Sequence, residues 1–424
     1  MAGAKRKPPT MNSASKPLDP LFVRTQFPAA LWEWAFFESA GGSYVPKTVI
    51  ERVNSYMSET QVQPGDYFPG AAKALLRMNA GHDLMAAMIG AEQNEVVIGA
   101  STSINVYVLA NALRPLWDEG DEVIVSVQNH EANSTPWRRL AETGIKILDW
   151  PVHPKTGALD IGVLEKLLSE RTRLVAFPHV SNILGALNDV EAITKCAHAA
   201  DAEVCVDGVA CAPHRALDVK GWNVDYYVFS FYKTFGPHMG CLYGKYEKLL
   251  AAKNQGHYFF AQDDIIHKLN PAGPQHEMIA SLQGINDYFE TLASHHLRSP
   301  KNGAFARQKE LFGLIAEHEE ILASKFLDFL GTKLNVRLLG PSKSIKSIRV
   351  PTFSFTVEGR ASADIPPLLA KQGIAVSNGH FYAKRLIEAM GLDNAEDGVV
   401  RASMAHYNTA NEVDRLIQML DKVL

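Results

Sequence analysis

Residues 225–237 read Asp225-Tyr226-Tyr227-Val228-Phe229-Ser230-Phe231-Tyr232-Lys233-Thr234-Phe235-Gly236-Pro237. Tyr226 to Ser230 form an aromatic and β-branched run, and Gly236-Pro237 mark a turn. The strand therefore ends by delivering Lys233 into a turn. An earlier apolar run, Val204-Cys205-Val206, closes on Asp207. A lysine and an aspartate at neighbouring strand ends meet the needs of pyridoxal 5'-phosphate (PLP). The amine forms a Schiff base with the aldehyde, and the carboxylate pairs with the ring nitrogen.

Outward from this pair, short apolar runs alternate with helix-like segments between about Asn94 and Gly244. They are Val96–Ile98, Val123–Val127, Ile145–Leu148, Leu174–Phe177, Val204–Val206, Tyr227–Phe229 and Cys241–Tyr243. Strands apolar at every position are covered on both faces. The pattern thus predicts an α/β fold with a mostly parallel, seven-stranded sheet. Ligands on such sheets bind outside the carboxyl ends of the strands, where Asp207, Ser230 and Lys233 fall.

Residues 274–330 read as helical. Ile348–Val357, Ile374–Val376 and Val399–Arg401 then read as strands of a smaller α+β lobe. Thr409 and Glu412 form a capping box for a last helix, with an apolar stripe of Val413, Leu416, Ile417, Leu420 and Val423. The expected organisation is a disordered tail over 1–19, a large domain over 20–290 and a small domain over 291–424. The first residues of the large domain pack on the small one.

Each part of PLP makes its own demand. The phosphate wants backbone N–H groups at a helix start, with hydroxyls beside them. Gly99-Ala100-Ser101-Thr102-Ser103 meets this directly after the first strand. In isolation such a segment would be only an N-capped helix; beside Asp207 and Lys233 it reads as a phosphate cradle built on Ser101 and Thr102. The ring face wants a flat partner, and His130 follows the second strand. The phenolic oxygen wants an amide donor, and Asn182 follows the strand ending at Phe177. Alone, His130 would be a loop residue and Asn182 a turn asparagine before Gly185. Asp207 alone would cap a turn with Gly208. Their order behind successive strands favours the site over these bland readings.

Composition excludes several classes. The chain has 424 residues, 46% hydrophobic and 21% charged, with a net charge of −4. No nucleic acid or anionic membrane is expected as partner. No apolar run approaches the roughly 18 residues of a membrane span. The four cysteines, Cys196, Cys205, Cys211 and Cys241, contain no Cys-x-x-Cys pair, and no metal-ligand spacing appears. A reducing, cytoplasmic setting is expected. His295 and His296 are expected to be solvated.

The chain resembles the class V aminotransferase superfamily of fold type I PLP enzymes, and within it the group II cysteine desulfurase and selenocysteine lyase-like branch. The resemblance runs from about Phe37 to the C-terminus. It rests on Asp207-Gly208-Val209-Ala210-Cys211-Ala212-Pro213-His214-Arg215, on Ser230-Phe231-Tyr232-Lys233 with Gly236-Pro237-His238, and on His130 to Trp137. Ser181 to Gly185, Arg401-Ala402-Ser403 and Tyr407-Asn408-Thr409 add to it. It implies that Lys233 is the Schiff-base lysine and acts at the substrate α-carbon. Asp207 would pair with the ring nitrogen, His130 would stack on the ring, and Asn182 would reach the phenolic oxygen. Ser101, Thr102, Ser230 and Tyr232 would surround the phosphate. Arg401 would hold the α-carboxylate, and His380 and Tyr382 would line the substrate side. It further implies a homodimer with sites at the interface, where Gly273-Pro274-Gln275 approach the partner's phosphate.

Four positions depart from the desulfurase pattern. Its mobile-loop cysteine position falls on Tyr382 and the accompanying arginine position on Ser377, within Ser377-Asn378-Gly379-His380-Phe381-Tyr382-Ala383; its glutamine near the phenolic oxygen is Ala210, and its histidine before the lysine is Tyr232. A phenol carries no persulfide. The resemblance therefore implies an amino-acid aminotransferase or β-lyase. A desulfurase-like C–S lyase, an epimerase and a non-catalytic PLP-binding protein stand as alternatives.

Overall fold

The computed structural model describes residues 16–271, 273–298, 300–392 and 394–424. Its centre is a seven-stranded sheet. The strands are β1 (Val96–Gly99), β2 (Glu122–Ser126), β3 (Lys146–Trp150), β4 (Thr172–Pro178), β5 (Glu203–Asp207), β6 (Tyr226–Ser230) and β7 (Gly240–Gly244). Their spatial order is β1-β7-β6-β5-β4-β2-β3. Only β7 runs antiparallel to its neighbours. The apolar runs read from the sequence each contain or overlap one of these strands. Val123, Val125, Leu174, Val204, Val206, Tyr227 and Val228 are completely buried, as strands sandwiched between helices require.

Register fixes the site. Asp207 ends β5 level with Val228 of β6. Ser230 ends β6 opposite Gly240, which is itself paired with Gly99 of β1. Three strand ends therefore meet where helix α1 (Thr102–Leu113) begins. A Cβ on Gly240 would lie 2.3 Å from the backbone nitrogen of Thr102, so only glycine lets β7 come this close to the start of that helix.

The second sheet is antiparallel and four-stranded: β8 (Val336–Leu339), β9 (Thr352–Val357), β10 (Ser377–Gly379) and β11 (Val399–Ser403), in the order β10-β11-β9-β8. The strand expected from Ile348 starts only at Thr352, after Pro351, a residue that cannot donate to a ladder. Ile374 and Ala375 pair instead with Ala35 and Phe36 from near the other end of the chain. Ser403 N–H donates to the Phe37 carbonyl at 2.7 Å. The N-terminal segment is thus threaded onto the C-terminal sheet.

Three further expectations change. The helix Gln283–His296 is continuous across 290–291, where the sequence suggested a division, and Ile285, Tyr288, Phe289 and Leu292 pack in the core of the large sheet. The long helix α2 (Ala304–Gly331) then joins both cores: Leu311 and Ile315 enter the first, Phe326 and Leu330 the second. The expected disordered tail, 1–19, falls outside the described residues as far as residue 15. Residues 16–19 are ordered, because Leu18 is buried and Asp19 caps the helix Pro20–Thr25. His296 is buried rather than solvated: Nδ1 bonds the Leu292 carbonyl at 2.8 Å, and Nε2 accepts the Asp19 N–H at 2.9 Å. The last helix α3 (Ala410–Val423) has the expected capping box, with Val413, Leu416 and Leu420 buried. Among the described residues, no helix is long and apolar enough to cross a membrane.

Candidate active site

Lys233 lies one turn beyond β6, in the short 3-10 segment Phe231–Lys233, and is only 7% exposed. Burial and the neighbouring Arg401 guanidinium pull its ammonium down from 10.5 to about 8, and Asp207 and Glu38 oppose this only in part. A large fraction of the amine is therefore neutral near pH 8, the form that attacks an aldehyde or takes a proton. Asp207 is pushed up from 3.8 to about 6, chiefly by burial, against the Val209 N–H and the charge of Lys233. Its Oδ1 accepts that N–H at 2.9 Å. A cationic ring nitrogen would repay the cost of this buried carboxylate.

His130 opens the turn Glu131–Asn133, and its Nδ1 accepts the Ala132 N–H at 3.0 Å. Burial, with the positive charges of Lys233 and Arg401, lowers its pKa to about 3. The imidazole is neutral, a flat uncharged face suited to lie on a cationic ring. At the other end of the cavity Ser101 caps α1, its hydroxyl accepting the Ile104 N–H at 3.2 Å. The Thr102 and Ser230 hydroxyls, both buried, bond each other at 2.8 Å. Helix N–H groups and hydroxyls converge there as a phosphate requires. Tyr232 stacks on His238 with ring centroids 4.8 Å apart and planes 6° apart.

Ser101, Thr102, His130, Asn182, Asp207, Ser230, Tyr232 and Lys233 line one cavity of about 110 Å³. It shares His130, Asn182, Tyr232 and Lys233 with an outer cavity of about 460 Å³, which adds Glu38, Tyr107, Glu131, Thr135, Phe381, Tyr382 and Arg401. The donor set fits PLP: a phosphate cradle, a buried acid, a flat neutral ring and a buried amine around one space. Arg401, on β11, is 2% exposed and stands at the outer end. Its Nη2 bonds Glu38 Oε1 at 2.8 Å, and its Nη1 donates to the Asn182 carbonyl at 3.3 Å.

The loop that follows β10 is strained. Phe381 and Tyr382 both have positive φ, +47° and +59°, a conformation that costs non-glycine residues about 1–3 kcal/mol each. Backbone hydrogen bonds pin it. The Phe381 carbonyl accepts from Asn182 Nδ2 at 2.9 Å, and the Tyr382 carbonyl accepts from the Glu131 N–H at 2.8 Å. Asn182 therefore spends one of its amide hydrogens on this loop. Tyr382 reaches the cavity, its ring 5.3 Å from that of His130.

His380 differs from expectation and does not line either cavity. Its Nδ1 accepts the Tyr382 N–H at 3.1 Å, and its Nε2 lies 3.8 Å from Glu396. His214 is buried on Glu319 at 2.7 Å and is structural, whereas His238 stacks on Tyr232. Glu38 was missed, although the tight Gly41-Gly42 turn just behind it was a signal that this acid faces something close.

Residues 35–271 and 305–416 match the family described as Aminotransferase class-V. The aminotransferase-like protein FGM3 of Gibberella zeae is 36% identical over 95% of this chain and 98% of its own. The cysteine desulfurase-like protein ustD of Aspergillus flavus is 31% identical over 95% and 90%. The crystal structure of the cysteine desulfurase CsdA of Escherichia coli superposes with a TM-score of 0.80 at 27% identity, covering 96% of this chain and 98% of that one. The chain therefore belongs to the class V aminotransferase family and is a PLP-dependent enzyme of the aminotransferase and lyase type.

Proposed function

We propose that this enzyme breaks a bond at the α-carbon of an amino acid, as an aminotransferase or β-lyase, without a cysteine persulfide. The observation that carries the reading is a buried amine, Lys233, that lines two adjoining cavities, the inner one with a buried acid, Asp207, and the outer one with a buried guanidinium, Arg401. PLP supplies, when bound, the electron sink for the pair left behind at the α-carbon. The neutral amine of Lys233 takes and returns the α-proton. Asp207 balances the charge of the ring nitrogen, and His130 covers the ring. Ser101, Thr102, Ser230 and Tyr232 hold the phosphate. Arg401 grips the α-carboxylate, a job suited to a planar fork of donors. Tyr382 bounds the substrate side chain; His380 supports its loop.

The absence of a persulfide relay is supported by the thiols. Neither cavity is lined by any of the four free cysteines. Cys205, Cys211 and Cys241 are buried, and burial raises all three. A thiol held protonated away from substrate accepts no sulfur. Names of relatives that mention desulfurase activity therefore do not transfer this step. The unpaired cysteines also suit a cytoplasmic setting.

Incubating the holoenzyme with a panel of amino acids, with and without 2-oxo acids, tests the reading. Mass spectrometry should find an oxo acid, formed either by amino-group exchange or with ammonia released by elimination. Sulfide from cysteine that vanishes in Cys241→Ala would restore the desulfurase alternative. Products that differ only in α-configuration would identify an epimerase. No product from any member would leave a binding protein.

We further propose a homodimer. Tyr67, Tyr258 and Phe259 are 90%, 96% and 66% exposed, a cost that a protein interface removes. Nearby, a cavity of about 810 Å³ is lined by Gln63, Pro64, Phe260, Gly273 and Pro274. Light scattering should give twice the chain mass; a monomer that turns over normally would rule the dimer out.

A further inference from the structure

Arg401 already holds a carboxylate. Besides the 2.8 Å contact of Nη2 with Glu38 Oε1, its Cζ lies 3.6 Å from the centre of the Phe381 ring. Its Nε is buried without a hydrogen-bond partner, and so is the second oxygen of Glu38, Oε2. Glu38 is held in place by its backbone. The Phe37 carbonyl accepts from the Ser403 N–H at 2.7 Å, and the Ala40 N–H donates to Ser403 Oγ at 2.8 Å. Gly41 leaves room for the carboxylate, since a Cβ there would lie 2.6 Å from Oε1.

This arrangement gives Arg401 a counter-charge in the empty site but leaves Nε and the second Glu38 oxygen unpaired. A buried guanidinium without a counter-charge is costly, and Glu38 removes that cost. A substrate carboxylate gripped by two parallel N–H bonds needs the edge of Arg401 that Glu38 partly covers. Two carboxylates on that edge would repel each other across a few ångströms.

We propose that Glu38 is a positioning residue, a resident carboxylate that holds Arg401 in the free enzyme and yields it to the α-carboxylate of the substrate. The proposal rests on the reading of Arg401 as the α-carboxylate anchor. The exchange is carboxylate for carboxylate. A ligand with a carboxylate must open the pair. Simple anions are thereby held off, and the amino acid must add contacts at the lysine and the side-chain wall to win the exchange.

The test uses the holoenzyme with acetate as probe. Glu38→Gln keeps the shape of the side chain and an acceptor for Nη2 but removes the charge. Calorimetry should find acetate bound about tenfold tighter than in wild type. The KM of the best amino acid from the panel should fall by a similar factor, the change appearing in KM rather than in kcat. Without acetate the variant should melt lower than wild type, and acetate should raise its Tm by the larger amount. Arg401→Gln should lose the acetate response. If Glu38→Gln leaves acetate affinity and KM unchanged, or weakens them, while Arg401→Gln abolishes acetate binding, Glu38 is no competitor and the anchor reading stands without it. If Arg401→Gln binds acetate as wild type does, the anchor reading fails, and the role of Glu38 with it.

Discussion

Lys233→Ala loses at least about four orders of magnitude in turnover, the combined loss of a covalent nucleophile and a general base. The side chain is buried beside Asp207 in the inner cavity, so alanine leaves no amine in its place. Two readouts separate this role from a structural one. Borohydride reduction of the loaded wild-type enzyme should add the mass of the reduced cofactor to the peptide carrying Lys233, and no such peptide should form in the variant. Cofactor uptake by the apoprotein should also speed up as pH rises through about 8, because burial and Arg401 lower the amine to that value. The sign is fixed by chemistry: the neutral amine attacks, and its fraction grows above the pKa. An uptake profile still climbing toward 10.5, or a variant with ordinary turnover, would remove Lys233 from the centre of the site.

The parts of the molecule legible in the sequence share one property: their signal is local. The strands of the large sheet could be read because a strand covered on both faces is apolar at nearly every position, as Val204-Cys205-Val206 is. Asp207 could be read because it ends such a strand, and Lys233 because it follows one in the next turn. The missed features depend on residues far apart in the chain. Glu38 meets Arg401 across 363 positions, and His214 meets Glu319 across 105; no spacing rule connects either pair. β8 and β10 escaped because they are short and only partly buried, so neither alternation nor an apolar run marks them. The ladder of Ala35 and Phe36 with Ile374 and Ala375 is likewise nonlocal. The bends at Phe381 and Tyr382 were hidden for a different reason. Aromatic residues with positive φ contradict their own propensity, and bonds with Asn182, Glu131 and His380 hold them there.

Asp207→Asn should separate stability from function. The amide keeps an oxygen to accept the Val209 N–H, so the fold of the turn survives. It carries no charge to balance a protonated ring nitrogen, and turnover should fall by about a thousandfold or more, some 4 kcal/mol of barrier. The cofactor-free protein should respond in the opposite direction. Burial raises the Asp207 carboxyl from 3.8 to about 6, so between those values the folded chain keeps a proton that the unfolded chain has released. Its contribution to stability therefore falls as pH rises across that window, and above it the ionised carboxylate costs the apoprotein about 3 kcal/mol. Asparagine does not ionise and escapes this cost. At pH 7.5 the cofactor-free variant should melt above cofactor-free wild type, and the gap should close as pH is lowered toward 4. Identical melting curves across that range would mean that Asp207 is not the strained acid described here. Wild-type turnover in the variant would mean that its charge does not face the cofactor. A raised apoprotein melting point together with the lost turnover would show an enzyme that keeps a destabilising carboxylate because the bound ring, rather than the fold, supplies its counter-charge.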